Sequence, residues 1–237
     1  MKKMTNKILL GLLIAVLLLT VVVVVSARRV VSNVMAQAGE VPLSGRQVQR
    51  GYDVSGFQTI SLAGGWRLSV TGGERFSVEV SGDSALVDAV QVSVSGDTLL
   101  LHADSTTLTP RGGLHARVVL PELTGLHNSG GSDIRLEGLN STTLTIVNSG
   151  AGRFSADGAE FGHLRIDGSG ATTVEFFNAR VHTAEVFLSG AGKVELHMTG
   201  GDLSGRISGI GNVEYSGTVS AESIRIDGIG TVERTDH

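Results

Sequence analysis

Apolar and polar residues alternate with a period of two along most of the chain after residue 51. The alternation is clearest in three segments, whose apolar members are Trp66, Leu68 and Val70; Phe76, Val78 and Val80; and Val90, Val92 and Val94. Short alternating segments predict β-strands that are buried on one face. Residues 71–74 and 95–97 contain glycine and are interpreted as hairpin-type connections. After residue 29 a helical pattern is confined to a turn at residues 84–89, so the sequence predicts an all-β protein.

From about residue 126 the alternation becomes a repeat. Six segments share a Ser-Gly or Asp-Gly pair, and the glycines follow one another at steps of 20, 20, 20, 19 and 19: Gly130, Gly150, Gly170, Gly190, Gly209 and Gly228. A period of 19–20 residues with alternating apolar positions predicts a single-stranded parallel β-helix, with two or three short strands in each rung. Equivalent residues of successive rungs would then stack about 4.8 Å apart.

Four apolar columns follow from this alignment and are predicted to point inward. They are Ile134, Phe154, Val174, Val194, Val213 and Val232; Leu136, Ala156, Phe176, Leu196 and Tyr215; Leu144, Leu164, Ala184 and Leu203; and Ile146, Ile166 and Val186. The repeated glycines are predicted to form the corners, because glycine adopts positive φ without a steric penalty and lets stacked corners approach closely. The serine before each glycine is predicted to bond backbone groups of its own turn.

The N-terminus carries a long apolar run. Residues 8–25 are uncharged and are flanked by Lys2, Lys3 and Lys7 on one side and by Arg28 and Arg29 on the other. The run is long enough to cross a bilayer, and the charge bias favours an N-terminus in the cytosol. We therefore predict a membrane anchor or signal sequence at residues 1–29. Both alternatives stay open, because residues 25–27 (VSA) could be a cleavage site.

The rest of the chain is predicted to contain a tether at residues 30–50, a strand region at 51–125 and the repeat region at 126–237. The last two would form one continuous domain. An uncleaved anchor predicts that this domain lies outside the cytoplasm, attached to the inner membrane of the cell envelope. Cleavage of a signal would instead make it periplasmic or secreted.

Composition narrows the possible chemistry. The chain has no cysteine, which excludes disulfides, thiol nucleophiles and cysteine-based metal sites. Beyond residue 29 it carries 14 basic and 23 acidic residues, a net charge of −9, because five of the 19 basic residues precede residue 30. An acidic domain is a poor match for nucleic-acid phosphates, so we expect no nucleic-acid partner. The membrane and an unidentified protein or glycan are the partners that we expect.

One outward column is unusual in its charge. The residues that follow the first inward column are Arg135, Ser155, Glu175, Glu195, Glu214 and Glu233. Four glutamates in register would repel one another. One interpretation is a solvated face whose charge opposes aggregation. The alternative is a weak stripe for divalent cations or cationic ligands.

No motif predicts a catalytic site, a cofactor site or a dedicated metal site. Gly192 and Lys193 continue into a strand pattern, whereas a phosphate-binding loop opens a helix. The repeats lack the recurring aspartate of calcium-binding β-helices, and no Gly-x-Ser-x-Gly elbow occurs. The seven histidines form no pair at i, i+4. We therefore expect a protein that is not an enzyme, and we interpret Trp66 as a core residue.

The repeated turns resemble those of a known family. Residues 117–123 (RVVLPEL) and the turns NSGAG, GSGA, LSGAG and SGIGN are similar to those of the bacterial envelope family called putative auto-transporter adhesin, head GIN domain. The resemblance covers roughly residues 51–232. It implies a β-helix-like domain outside the cytoplasm that acts as a binding or adhesin-like module. The alternatives are a structural or accessory envelope protein without a ligand of its own and, third, a polysaccharide-active β-helix enzyme.

Overall fold

The computed structural model describes residues 43–103 and 113–236. Strands make up 72% of the described residues and helix 3%, which confirms the all-β prediction. The anchor predicted at residues 1–29 and most of the tether lie outside the described residues. Within the described part of the chain, no helix has the length and apolar character that crossing a membrane requires.

The described residues form seventeen strands and one short helix. In chain order these are β1 (Gln47–Tyr52), β2 (Thr59–Ala63), β3 (Gly65–Gly72), β4 (Ser77–Asp83), α1 (Ser84–Ala89), β5 (Gln91–Ser95), β6 (Thr98–His102), β7 (Leu114–Leu120), β8 (Gly125–Asn128), β9 (Gly131–Glu137), β10 (Asn140–Asn148), β11 (Ala151–Gly168), β12 (Ala171–Leu188), β13 (Ala191–Thr199), β14 (Leu203–Ile207), β15 (Ile210–Thr218), β16 (Glu222–Ile226) and β17 (Ile229–Arg234).

The strands stack in two parallel columns, which confirms the β-solenoid. The first, called here the back sheet, contains β6, β2, β8, β10, the second halves of β11 and β12, β14 and β16. The second, called here the ladder sheet, contains β7, β3, β9, the first halves of β11 and β12, β13, β15 and β17. β11 and β12 are long because each bends from the ladder sheet into the back sheet. The solenoid has about six turns.

The first strands of the chain also belong to the solenoid, but not in chain order. β2 and β3 stack directly on β8 and β9, while β6 and β7 stack on their other side. Three antiparallel strands then cover this end: β5 pairs with β6, β4 with β7, and β1 with β4. Antiparallel strands and a short helix at the end of a stack shield the edge that a solenoid otherwise exposes.

One predicted hairpin is confirmed and the other is wrong. Residues 95–97 connect β5 and β6, which pair antiparallel around Gly96 at φ 60°. Residues 71–74 do not join paired strands, because β3 bonds to β7 and β9 while β4 bonds to β7 and β1. The helical turn predicted at 84–89 is α1. Its N-cap is Asp83, whose carboxylate accepts hydrogen bonds from the backbone N–H groups of Ser44, Gly45 and Ala85.

The four predicted apolar columns point inward. Successive members lie opposite one another in the strand register, and nearly all are less than 5% exposed. Trp66 is fully buried, as predicted, and its indole nitrogen donates a hydrogen bond to the Ala63 carbonyl at 3.0 Å. Burying one such large apolar side chain contributes about 1.5–3 kcal/mol.

The six corner glycines stack on one another in successive rungs, but the positive φ predicted for them is wrong. None of the six has positive φ. What requires glycine is the stacking distance: a Cβ on Gly150 would lie 2.1 Å from the Gly130 carbonyl oxygen, and one on Gly190 would lie 2.2 Å from that of Gly170. Four of the serines before them, Ser129, Ser149, Ser169 and Ser208, donate across rungs instead of locally. The Ser129 hydroxyl, for example, donates to the Leu62 carbonyl at 3.1 Å.

A pair of asparagines lies inside the core, in a column that the sequence analysis did not identify. Asn128 and Asn148 are 2% and 0% exposed, and the Asn128 amide donates to the Asn148 side-chain oxygen at 2.7 Å. The Asn148 amide in turn donates to Thr172 Oγ1 at 2.8 Å and to the Ala171 carbonyl at 2.9 Å. Because these buried amides bond one another and the backbone, their desolvation is compensated.

Candidate binding face

The glutamate column predicted from the sequence lies on the outer surface of the ladder sheet. Glu175, Glu195, Glu214 and Glu233 are directly opposite one another on β12, β13, β15 and β17. They point outward because they alternate with inward residues such as Val194 and Leu196. Their side chains are partly covered, since those of Glu175, Glu195 and Glu214 are 32%, 17% and 28% exposed.

Basic residues in the adjacent column neutralise part of this charge. Arg153 pairs with Glu175 through two guanidinium nitrogens. Lys193 lies between two glutamates, with its Nζ 2.5 Å from Glu195 Oε1 and 3.3 Å from Glu214 Oε1. The pKa of Lys193 is raised, mainly by its hydrogen bond to Glu195 and to a smaller extent by the one to Glu214. The repulsion expected within the column is therefore reduced, although exposed pairs of this kind contribute little to stability.

The same column changes its charge along the solenoid. In spatial order from the covered end it begins with Arg117, Ser69, Arg135 and Ser155, and it continues with the four glutamates. Next to Arg117 on β7 lies His115, whose pKa is lowered by burial and then by the charges of Arg67 and Arg117. Beyond Arg117 the column continues to Glu79 on the covering strand β4, so its arginines lie between Glu79 and the four glutamates.

Two shallow depressions lie along this face. One has a volume of about 540 Å³, and Arg135, Arg153 and Glu175 contribute to its lining. The other, of about 610 Å³, is lined by Glu175, Phe177, Asn178, Glu195, His197 and Ser216. The second lies where β12 and β13 lose their regular register after Phe176. The volumes are within the range of about 300–1,000 Å³ that small-ligand sites occupy, and Glu175 lines both depressions.

The side chains on this face are charged and polar groups that can bind a ligand. In the parts of the chain that the structure describes, no three histidine, aspartate or glutamate side chains are grouped so that they could hold a metal ion. His197 Nδ1 lies 2.9 Å from Ser216 Oγ, which resembles a base and nucleophile pair. Ser216 is only 2% exposed, however, so nearly all of its surface is covered. Its bond to His197 holds the imidazole in place on the face.

The fold and the site together define a β-solenoid with a charged outer face. The family model described as "Putative auto-transporter adhesin, head GIN domain" matches residues 56–198, and the chain belongs to this family. The resemblance noted from the repeated turns is thereby confirmed. No curated protein matches the sequence significantly.

Solved structures of two related proteins share the fold. A putative adhesin from Bacteroides fragilis NCTC 9343 is 20% identical with a TM-score of 0.58, and the match covers 81% of this chain and 98% of the other. A putative adhesin from Parabacteroides distasonis ATCC 8503 is 18% identical with a TM-score of 0.51, over the same 81% and 98%. At this level of identity the likeness establishes the architecture.

Proposed function

We propose that this protein is a non-catalytic, adhesin-like binding module, tethered to a membrane by its N-terminus and exposed outside the cytoplasm. The observation that carries the proposal is the register of Glu175, Glu195, Glu214 and Glu233 along the ladder sheet. The family name and the names of both structural relatives support an adhesin-like role. The apolar run at residues 8–25 supports the tether.

The face suits an extended ligand with repeated positive groups. Carboxylates on successive rungs repeat at about 4.8 Å. Three of the four strands that carry them, β12, β13 and β15, are bonded to a neighbouring strand on each side. A rigid surface of this kind loses little conformational entropy when it binds. The ligand that we propose is therefore a protein segment rich in lysine or arginine, or a glycan with amino groups.

Defined polymers can test this ligand chemistry. The full chain in mild detergent is titrated with a lysine-rich peptide, with chitosan oligosaccharides and with a neutral glucan as reference. We expect binding to at least one cationic polymer, and Glu195→Gln with Glu214→Gln should weaken it at least tenfold. The matched control is Glu160→Gln with Asp202→Asn, which removes the same charge from exposed positions outside the glutamate column. Equal weakening by both double variants would reject a specific site, and so would the absence of any binding.

One observation favours a structural or accessory role instead. Arg153 and Lys193 already pair with three of the four glutamates, so the column could serve only to keep the surface charged and soluble. Under this alternative, no cationic polymer binds. Fractionation of cells together with the N-terminal mass of the native protein tests the tether, independently of any ligand: an intact N-terminus in the membrane fraction is the expected result.

A further inference from the structure

The two ends of the solenoid are built differently. One end is covered by β4 and β5, which pair antiparallel with β7 and β6 of the end rung, and by β1, which pairs antiparallel with β4. The other end is the rung formed by β16 and β17, which pair with β14 and β15 on one side. Within the described residues no strand pairs with their outer side. This end therefore presents two free strand edges and the open end of the core.

Three of the exposed apolar side chains lie in the last two rungs at this end. Ile210, Ile226 and Ile229 are 62%, 40% and 70% exposed, and Ile229 lies directly opposite Ile210. The inward residues Ile224 and Val232 are only partly buried, and no further rung among the described residues covers them. An uncovered apolar end with free backbone groups is an association surface.

The backbone of the last rung shows which groups are free. The N–H of Ile229 bonds to the Gly209 carbonyl at 2.9 Å, and that of Thr235 bonds to the Tyr215 carbonyl at 2.8 Å. Alternate residues of a strand direct their N–H and C=O groups to opposite sides. Gly230, Val232 and Arg234 therefore direct theirs towards the open edge.

We propose that this open end binds the same end of a second copy of the chain around a two-fold axis. In this arrangement β16 pairs antiparallel with β16 of the second copy, and β17 with its counterpart. The axis passes through the middle of both strands, at Ile224 and Val232. Inward residues then face inward residues, as a sheet with one buried face requires.

The charges of the last rung favour this register over its neighbours. With the axis at Ile224 and Val232, Arg225 lies opposite Ser223 of the second copy, and Glu233 lies opposite Thr231. Because β16 and β17 run in opposite directions, moving the axis by one residue has one of two results. It places two Arg225 side chains opposite each other, or it places two Glu233 side chains opposite each other. Like charges directly opposite are destabilising, so only the central register avoids them.

The construction of the other end limits the assembly to two copies. An isologous contact around a two-fold axis uses the open end of both partners and leaves none free. The remaining ends are covered by β1, β4 and β5 and present different strands, so the same contact cannot repeat into a fibre. A second copy is also the partner whose strand length and residue pattern match the edge by construction.

Sedimentation of the full chain in mild detergent tests the proposal. We expect a concentration-dependent dimer, and Ile226→Lys with Ile229→Lys should raise its dissociation constant at least tenfold. The matched control is Leu100→Lys with Val147→Lys, which places the same charges at exposed apolar positions of the back sheet. A wild-type chain that stays monomeric up to about 100 µM would overturn the proposal. So would a dimer that both double variants retain equally.

A cysteine cross-link tests the register, and its outcome does not depend on the lysine variants being folded. The chain has no cysteine of its own. Under mild oxidation, Val232→Cys should form a disulfide-linked dimer, because the proposed axis brings the two copies of residue 232 directly opposite each other. Val147→Cys should remain monomeric. Equal cross-linking of the two variants would contradict the end-to-end geometry.

Discussion

The corner glycines give the sharpest test of how the rungs stack. In Gly150→Ala the new Cβ would lie 2.1 Å from the Gly130 carbonyl oxygen, and real Cβ contacts are essentially never under 3.0 Å. The two rungs must separate locally by about 0.9 Å to relieve this contact. The hydrogen bonds that hold them there are Ala151 N–H to the Gly130 carbonyl and Ser149 N–H to the Asn128 carbonyl, both 2.9 Å long.

The expected cost combines two effects. Overpacking costs about 1–3 kcal/mol, and weakening two backbone hydrogen bonds costs about 0.5–1 kcal/mol each. We therefore expect Gly150→Ala to lower the free energy of unfolding by about 2–5 kcal/mol. This is a large part of the 5–15 kcal/mol that is usual for a folded domain. Guanidinium unfolding can be followed by fluorescence, since Trp66 is the only tryptophan and is fully buried.

Two other glycines separate close packing from backbone conformation. Gly51 has no atom within 4 Å of its added Cβ and no positive φ, so Gly51→Ala should change stability by less than about 1 kcal/mol. Gly158 also has open space, but its φ is +57°, and Gly158→Ala should cost about 1–2 kcal/mol. The reasoning is refuted if Gly150→Ala costs less than Gly158→Ala, because stacking distance would then not be what requires glycine at the corners.

Three further predictions concern single side chains. Asn148→Leu removes the oxygen that accepts from Asn128 and leaves that buried N–H of Asn128 unpaired. The change should cost about 1–3 kcal/mol in the same unfolding assay, and a neutral result would show that the asparagine pair contributes no net stability. The pKa of Asp83 is lowered, chiefly by the backbone hydrogen bond from Ser44. The ionised carboxylate therefore stabilises the fold above the unfolded pKa of about 3.9, and this stabilisation is lost as the pH falls through the lower folded pKa. Asp83→Asn should therefore lower the melting temperature at pH 7, and the melting temperature of the variant should fall less than that of the wild type between pH 5 and pH 2. An equal fall in both proteins would contradict this. Lys193→Met leaves Glu195 and Glu214 without the cation that they share, so the variant should be slightly less stable than the wild type at low salt. This difference in stability should disappear in 1 M NaCl, and a difference that salt does not affect would point to packing instead.

The repeat region could be predicted closely because residues one repeat apart in the sequence are neighbours in a solenoid. A step of 19–20 residues brings Ile134 and Phe154 into contact without any further information. The asparagine column obeys the same period, since Asn128 and Asn148 each precede a Ser-Gly corner by one residue. It was missed because polar residues at inward positions do not stand out in a search for apolar alternation.

The rung formed by β2 and β3 could not be predicted from the repeat, for a topological reason. Gly64 occupies the corner column, since a Cβ on Gly130 would lie 1.8 Å from its carbonyl oxygen. Their separation of 66 residues is not a multiple of the repeat, because β4 to β7 are inserted between the two rungs. The pair Gly64-Gly65 before an alternating strand was the available signal. That β6 and β7 stack outside β2 and β3 depends on long-range pairing, which no local pattern encodes.

The glutamate column shows how far prediction of the site could go. Its register followed from the repeat, and so did the proximity of Lys193 to Glu195 two positions away. Its change from Arg135 to glutamate followed as well. Its continuation to Arg117 and Glu79 did not follow, because β7 and β4 lie outside the repeat. Nor did the depression beside Phe177, which depends on a loss of register within β12. A solenoid tends to repeat the same kind of side chain along a column. This one departs from its repeat at two places, the change of charge along the column and the irregular register of β12. These two places are where the face can bind a specific ligand, because elsewhere it is a generally acidic surface.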